Sequence, residues 1–132
     1  MNRHPIIATV FVAAALYDGL LGLAFMFAAS SVFAFYGVTP PNHYGYVQFP
    51  AAVLIIFALM FVAVARRPLP NRNLIPYGIL LKLAYSLTVF YYWISTGIPG
   101  MWKPFAIIDL LTVIPFAWAY VALGGNTKPA QS

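Results

Sequence analysis

The chain has 132 residues, of which 63% are hydrophobic and only 7% are charged, and its mean hydropathy is +0.86. Soluble domains carry about 25% charged residues, and a chain of this length cannot bury so much apolar surface within itself, which excludes a soluble globular domain and a disordered chain. Cysteine is absent, so disulfides, thiol catalysis and cysteine-based metal sites are excluded as well.

Four long apolar runs follow one another along the chain, at residues 6–29, 47–65, 75–95 and 105–123. Each run has the length of about 20 residues that a helix needs to cross a hydrocarbon core of about 30 Å. Transmembrane strands would instead alternate in polarity over about 9–11 residues, and no run does so. We therefore predict an all-α integral membrane protein, a four-helix bundle that forms a single transmembrane domain over residues 1–132.

The first run contains an aspartate, Asp18, near its middle. The run is longer than the 7–15 apolar residues of a cleaved signal peptide, and the charge interrupts it, so we expect it to remain as a spanning helix. The small residues Ala14, Ala15 and Gly22 lie near Asp18 on the predicted helix. Small side chains let another helix approach closely, so this face is predicted to meet a partner helix.

The outer connections carry the candidates for a site near the membrane surface. Residues 30–38 are apolar and aromatic, and we expect them to lie along the interface. His43 and Tyr44 follow in a turn, where an ordinary loop histidine explains the pattern as well as a surface site does. Trp102 precedes the fourth run. Aromatic residues at this level either line a pocket for a quinone, carotenoid or sterol, or anchor the protein at the interface.

The third and fourth runs contain the other charges inside the predicted membrane, Lys82 and Asp109. Tyr85 and Ser86 share a helix face with Lys82 and complete the polar candidates within the membrane. Asp18 and Asp109 are the only acidic residues of the chain. A charge at the centre of a spanning helix costs about 2.5–3.5 kcal/mol on insertion scales, so each of these groups needs a partner or a function.

The depths of the charges predict which of them pair. With a rise of about 1.5 Å per residue, Lys82 lies about 5 Å from Asp18 in depth and about 12 Å from Asp109. We therefore predict an ion pair between Asp18 and Lys82. Asp109 is expected to meet polar groups of the outer leaflet, of which the chain offers Tyr91, Tyr92 and Lys103. The pair either fixes the helix register, relays protons or ions, or forms part of a polar ligand pocket.

Pro115 is the one proline in the middle of an apolar run. It lacks the N–H that would bond to the carbonyl of Leu111, and its ring clashes with the preceding turn. We predict a bend in the fourth helix at this point.

The basic residues outside the predicted helices predict the orientation of the chain. If both termini are cytoplasmic, five of these residues lie inside and only Lys103 lies outside. Such an excess of inside charge is typical of membrane proteins, so we predict cytoplasmic termini. The five residues are Arg3, Arg66, Arg67, Arg72 and Lys128.

Two short stretches add a resemblance to a known family. Residues 16–23 read Leu-Tyr-Asp-Gly-Leu-Leu-Gly-Leu, and residues 35–38 read Phe-Tyr-Gly-Val. Together with four helices in a short chain, they resemble the DoxX-like membrane proteins of bacteria, mainly over residues 6–65. The resemblance implies a four-helix bundle in the inner membrane, and some proteins of this type are subunits of quinone oxidoreductases. It carries over no catalytic residue.

These observations lead to one expected function and two alternatives. We expect a multi-pass protein of the bacterial inner membrane that is not an enzyme. It would bind lipid or quinone, or serve as a helper subunit of a membrane complex. One alternative is a subunit of a DoxX-type quinone oxidoreductase. The other is a proton-coupled carrier of small solutes that uses Asp18 and Lys82.

Partners and cofactors follow from the same pattern. The basic residues lie at the ends of apolar runs, which favours contact with the lipid bilayer over nucleic acid. Other membrane subunits, or further copies of the chain, are the remaining expected partners. No metal is expected, because the two histidines, His4 and His43, fall on opposite sides of the predicted membrane. We expect no cofactor, and a bound quinone or lipid is the alternative that the composition leaves open.

Overall fold

The computed structural model of the protein describes residues 4–125, which form five α-helices and no strand. Four of the helices are long and apolar enough to cross a membrane, which confirms the all-α membrane class. Their bounds lie within about two residues of the four apolar runs. The helices are α1 (His4–Phe27), α2 (Ala29–Tyr36), α3 (Gly45–Arg66), α4 (Ile75–Ser95) and α5 (Lys103–Gly124), and single 3-10 turns at Arg72–Leu74 and Gly100–Trp102 precede α4 and α5.

The short helix α2 was not predicted as a helix. It occupies most of the apolar stretch that was expected along the interface, and it buries Phe33. It ends at Gly37, whose φ of 65° lies in the left-handed region that glycine adopts without strain. The N–H groups of Gly37 and Val38 then donate to the carbonyls of Ala34 and Phe33, which satisfies the end of the helix.

Helices α1 and α3 form a closely packed antiparallel pair. Gly22 of α1 lies so close to α3 that an added Cβ would meet the carbonyl oxygen of Ala51 at 2.8 Å. One turn away, a Cβ on Gly19 would meet Ala58 at 3.5 Å, which is an ordinary contact. The face of small residues on the first helix therefore receives α3, as packing between membrane helices requires.

Helices α4 and α5 form the second antiparallel pair. Two hydrogen bonds fix how far each helix extends along the other. The Oγ of Ser86 donates to the carbonyl of Ala106 at 2.9 Å, and the Nε of Arg72 donates to the carbonyl of Tyr120 at 2.8 Å. Ser86 follows Arg72, which lies in the 3-10 turn before α4, by fourteen residues, and Tyr120 follows Ala106 by the same number, so the two bonds agree on one register.

This register staggers the two helices. If the predicted runs began and ended level, Ile75 would lie beside Leu123. The two hydrogen bonds instead place Ile75 level with Ala117, six residues closer to the start of α5. At about 1.5 Å per residue, α5 is displaced along α4 by about 9 Å.

The two helix pairs meet through an aromatic cluster toward one end of the bundle, the end that the predicted orientation makes the inner one. Phe11 of α1, Phe61 of α3 and Phe116 of α5 are fully buried there. Their ring centroids are separated by 4.6 to 5.8 Å, which is the range of favourable ring contacts. We call the other end of the bundle the outer half. Over their whole length, α3 packs little against α4 and α1 packs equally little against α5. The consequence is a gap between the pairs in the outer half.

Two sequence-based expectations concern features that the described structure leaves as predictions. Helix α5 continues through Pro115 from Lys103 to Gly124, and the bend at this residue stays a prediction. Arg3 and Lys128, which contribute to the orientation prediction, lie outside the described residues.

Candidate functional site

Three helices bring three charged side chains together in the middle of the bundle. Lys82 of α4 donates from Nζ to Oδ1 of Asp18 on α1 at 2.7 Å and to Oδ1 of Asp109 on α5 at 3.2 Å. The exposed fractions are 0% for Lys82, 1% for Asp18 and 6% for Asp109. We call these three residues the charged triplet. The predicted pair between Asp18 and Lys82 is present, and it forms part of this larger group.

The predicted surroundings of Asp109 were wrong. Asp109 was expected near Tyr91, Tyr92 or Lys103, but its carboxylate is bound to Lys82. The prediction assumed that the third and fourth helices begin and end level. The stagger of about 9 Å removes most of the expected separation of about 12 Å in depth. Lys103 lies instead over the ring of Trp93, with Nζ 4.7 Å from the ring centroid.

The other polar candidates within the membrane join α4 to the start of α5. The hydroxyl of Tyr85 donates to the carbonyl of Trp102 at 2.9 Å, and that of Ser86 donates to the carbonyl of Ala106 at 2.9 Å. Ser86 is fully buried, and its hydroxyl has the partner that a buried polar group needs. These bonds hold Lys82 and Asp109 at the same depth.

A cavity of about 810 Å³ lies beside the charged triplet, in the outer half of the bundle. Its volume falls within the range of about 300–1,000 Å³ that is typical of sites for small molecules. The walls are almost entirely apolar and aromatic, and the carboxylates of Asp18 and Asp109 are at its deep end. We call this space the outer cavity. Along α4 it extends from Leu81 to Val89, which corresponds to about 12 Å of helix.

All five helices and the connections before α3 and α5 contribute residues to the walls of the outer cavity. Side chains of α1 recur at helical spacing, as Asp18, Leu21 and Phe25, and those of α4 do the same. The connection after α2 covers the outer end. The lining residues of α1 and α5 are buried or half-buried, whereas α3 and α4 contribute exposed ones, so the cavity is open between α3 and α4. The residues that α4 contributes are Leu81, Ala84, Tyr85, Thr88 and Val89.

The three outer candidates have different surroundings. Trp102 lines the cavity and stacks on Phe25, with ring centroids 5.7 Å apart. His43 is exposed, and its Nδ1 accepts a hydrogen bond from the N–H of Gly45 at 2.9 Å, as in an ordinary turn. Tyr44 packs its ring on Phe33 at 6.4 Å. Neither His43 nor Tyr44 lines the cavity.

Sequence reasoning missed Tyr17. Its ring centroid lies 5.3 Å from Nζ of Lys82, and its buried hydroxyl has no hydrogen-bond partner among residues 4–125. The same is true of Oδ2 of Asp18. The available signal was spacing: Tyr17 lies one turn before Leu21 on α1 and directly precedes Asp18.

No family model, curated protein or solved structure matches the chain. The resemblance to DoxX-like proteins therefore stays a prediction. The function has to be argued from the outer cavity and the charged triplet.

Proposed function

We propose that the protein binds an amphipathic, largely apolar molecule of the lipid or quinone class in the outer cavity, without catalysing a reaction. The observation that carries this proposal is the cavity of about 810 Å³, with apolar walls and a charged deep end. Apolar walls with a few polar groups in fixed positions are typical of small-molecule sites. The opening between α3 and α4 faces the acyl chains, so a ligand would enter from the bilayer.

A variant that fills the cavity tests this proposal. Ala84 lines the cavity, whereas Ala13 is an exposed residue of α1 outside it. We expect native mass spectrometry in mild detergent to show a retained lipid or quinone on the wild type and on Ala13→Phe. Ala84→Phe should lose most of this species, because its ring occupies the binding space. Equal retention by the two variants would contradict the proposal.

We propose that the protein resides in a bacterial inner membrane, with both termini in the cytoplasm. Arg66, Arg67 and Arg72 lie in and beside the connection between α3 and α4, and Lys103 lies at the opposite end of the bundle. This distribution supports the positive-inside orientation. The outer cavity would then lie in the periplasmic half of the bilayer.

Reporter fusions test the orientation. A fluorescent protein that matures only in the cytoplasm should be bright when fused to the C-terminus, and a phosphatase that is active only in the periplasm should be inactive there. The phosphatase fused after Thr96, in the connection before α5, serves as the positive control. An active phosphatase at the C-terminus would reverse the orientation.

A second candidate is a proton-coupled carrier, which the charged triplet favours. Ionisable side chains inside a membrane commonly mark ion and proton paths, and here they lie beside an open cavity. This function predicts solute-dependent proton flux in proteoliposomes that Asp18→Asn abolishes. Thr112→Val is the control, because that hydroxyl bonds to the carbonyl of Ile108 in its own helix.

A further inference from the structure

The charged triplet is not electrically balanced. It contains two carboxylates and one ammonium group, and all three side chains are buried. If all three are ionised, the group carries one excess negative charge in a region that excludes water. Two other basic residues of the described chain are engaged elsewhere: Arg72 lies over the ring of Tyr120, and Lys103 lies over Trp93. A buried charge without compensation is strongly unfavourable, so the triplet must take up a further positive charge, either a proton or a cationic group of a ligand.

One carboxylate oxygen shows where that partner would bind. Lys82 donates to Oδ1 of Asp18, whereas Oδ2 of the same group accepts no hydrogen bond from residues 4–125. An ionised carboxylate normally accepts hydrogen bonds on both oxygens, and leaving a buried acceptor unpaired destabilises the fold. Asp18 is 1% exposed and belongs to the wall of the outer cavity. The acceptor without a donor therefore belongs to a residue that borders the space a ligand would occupy.

We propose that the outer cavity selects ligands whose head group donates hydrogen bonds to Asp18, with a primary amine preferred over a hydroxyl. This inference rests on the proposed function, because it names the head group of the molecule that the cavity binds. A protonated amine supplies both the donor and the positive charge that balances the triplet. Its bond to a carboxylate is charge-assisted, which is the stronger kind of hydrogen bond.

The same argument ranks other head groups lower. A hydroxyl donates one hydrogen bond to Asp18 but leaves the excess charge in place. An ester or an oxidised quinone has only acceptor oxygens, which would face a carboxylate in an apolar environment without any donor between them. The apolar chain of every such ligand meets the same walls, in which the rings of Phe25, Phe33 and Trp102 contact one another. Head-group chemistry, and not the chain, should therefore determine the order of affinity.

Quenching of Trp102 by three matched probes tests the ranking. The chain has three tryptophans, and Trp102 is the one that lines the cavity, so the parent protein carries Trp93→Phe and Trp118→Phe. The probes are ω-bromododecylamine, ω-bromododecanol and the methyl ester of ω-bromododecanoic acid, titrated in the same detergent. We expect the amine to bind about tenfold or more tightly than the ester, with the alcohol between them, as a charge-assisted hydrogen bond implies.

Variants of the triplet identify the group that sets the preference. Asp18→Asn removes the excess charge and leaves Lys82 paired with Asp109, so it should lose about tenfold in affinity for the amine and little for the ester. Asp109→Asn also removes one negative charge from the triplet and should also weaken amine binding. It keeps the inference testable if Asp18→Asn does not fold. Thr112→Val should leave the order unchanged.

The outcomes separate this inference from the proposed function. If all three probes quench Trp102 with equal affinity, and Ala84→Phe weakens all of them, the cavity binds amphiphiles and the head-group preference is wrong. An amine preference that survives both Asp18→Asn and Asp109→Asn would also overturn the inference. If no probe quenches Trp102, both the proposed function and the head-group preference are wrong. The head-group preference would be established if affinity falls from amine to alcohol to ester in the parent protein and the three probes bind with similar affinity in the aspartate variants.

Discussion

Replacing Lys82 by methionine is expected to lower the free energy of unfolding by about 3–5 kcal/mol, the usual result of removing one partner from a buried ionic group. The change leaves Asp18 and Asp109 facing each other without the ammonium that both of them bind. Methionine fits the space of the lysine stem, so lost packing contributes little. Unfolding by SDS titration in mixed micelles measures this loss.

The aspartates should behave differently from the lysine. Asp18→Asn and Asp109→Asn each leave one carboxylate with one ammonium, which is a balanced pair, so each should cost no more than about 1–2 kcal/mol. Combining Lys82→Met with Asp18→Asn and Asp109→Asn removes all three charges and should recover much of the stability that Lys82→Met loses. Equal losses from Lys82→Met and Asp18→Asn would show that the excess charge has no energetic consequence.

Gly22→Ala should destabilise the protein although alanine favours a helix. The added methyl group would lie 2.8 Å from the carbonyl oxygen of Ala51 and 2.9 Å from Cγ1 of Ile55, so α1 and α3 would have to separate. Overpacking of this kind costs about 1–3 kcal/mol, whereas the gain in helix propensity is about 0.5–1 kcal/mol. We expect a net loss in the free energy of unfolding, measured as for Lys82.

Gly19→Ala is the matched control for Gly22→Ala. It lies on the same helix, gains the same propensity and places its methyl group 3.5 Å from Ala58, at ordinary contact distance. Its stability should be unchanged or slightly increased. If Gly19→Ala lost as much stability as Gly22→Ala, close packing of α1 on α3 at Gly22 would not be the cause.

The spanning helices could be predicted from the sequence because their signal is local. A run of about 20 apolar residues has few alternatives to a membrane helix, and Pro76 and Pro104 mark the first turns of α4 and α5. Helix α2 gave no such signal. It has eight residues, which is too short for a clear periodic pattern, and its end depends on the left-handed conformation of Gly37.

The charged triplet could be predicted only in part. The energetic argument for pairing Asp18 with Lys82 needed nothing beyond two charges at similar depth. The position of Asp109 depended on the relative displacement of α4 and α5, which the hydrogen bonds of Arg72 and Ser86 fix. Those bonds join residues far apart in the sequence, and no local pattern encodes the displacement that they impose.

The outer cavity could not be predicted at all. It exists because α3 packs on α1 and α4 packs on α5 while α3 and α4 stay apart, which is a property of the whole arrangement. The aromatic residues that the sequence placed at this level fit both an interfacial belt and a pocket. Only the position of Trp102 against Phe25 decides between these roles for that residue.

Side-chain contacts, and not close helix packing, connect the two helix pairs in the outer half, since α1 packs on α5 as little as α3 packs on α4. Trp102 stacks on Phe25 there, and the bond between Lys82 and Asp18 crosses between the pairs at mid-depth. The opposite side, between α3 and α4, is open. A rotation of one pair relative to the other would change the width of the opening while the register of α4 and α5 stays the same. We therefore expect lateral pressure in the membrane to influence access to the charged end of the cavity.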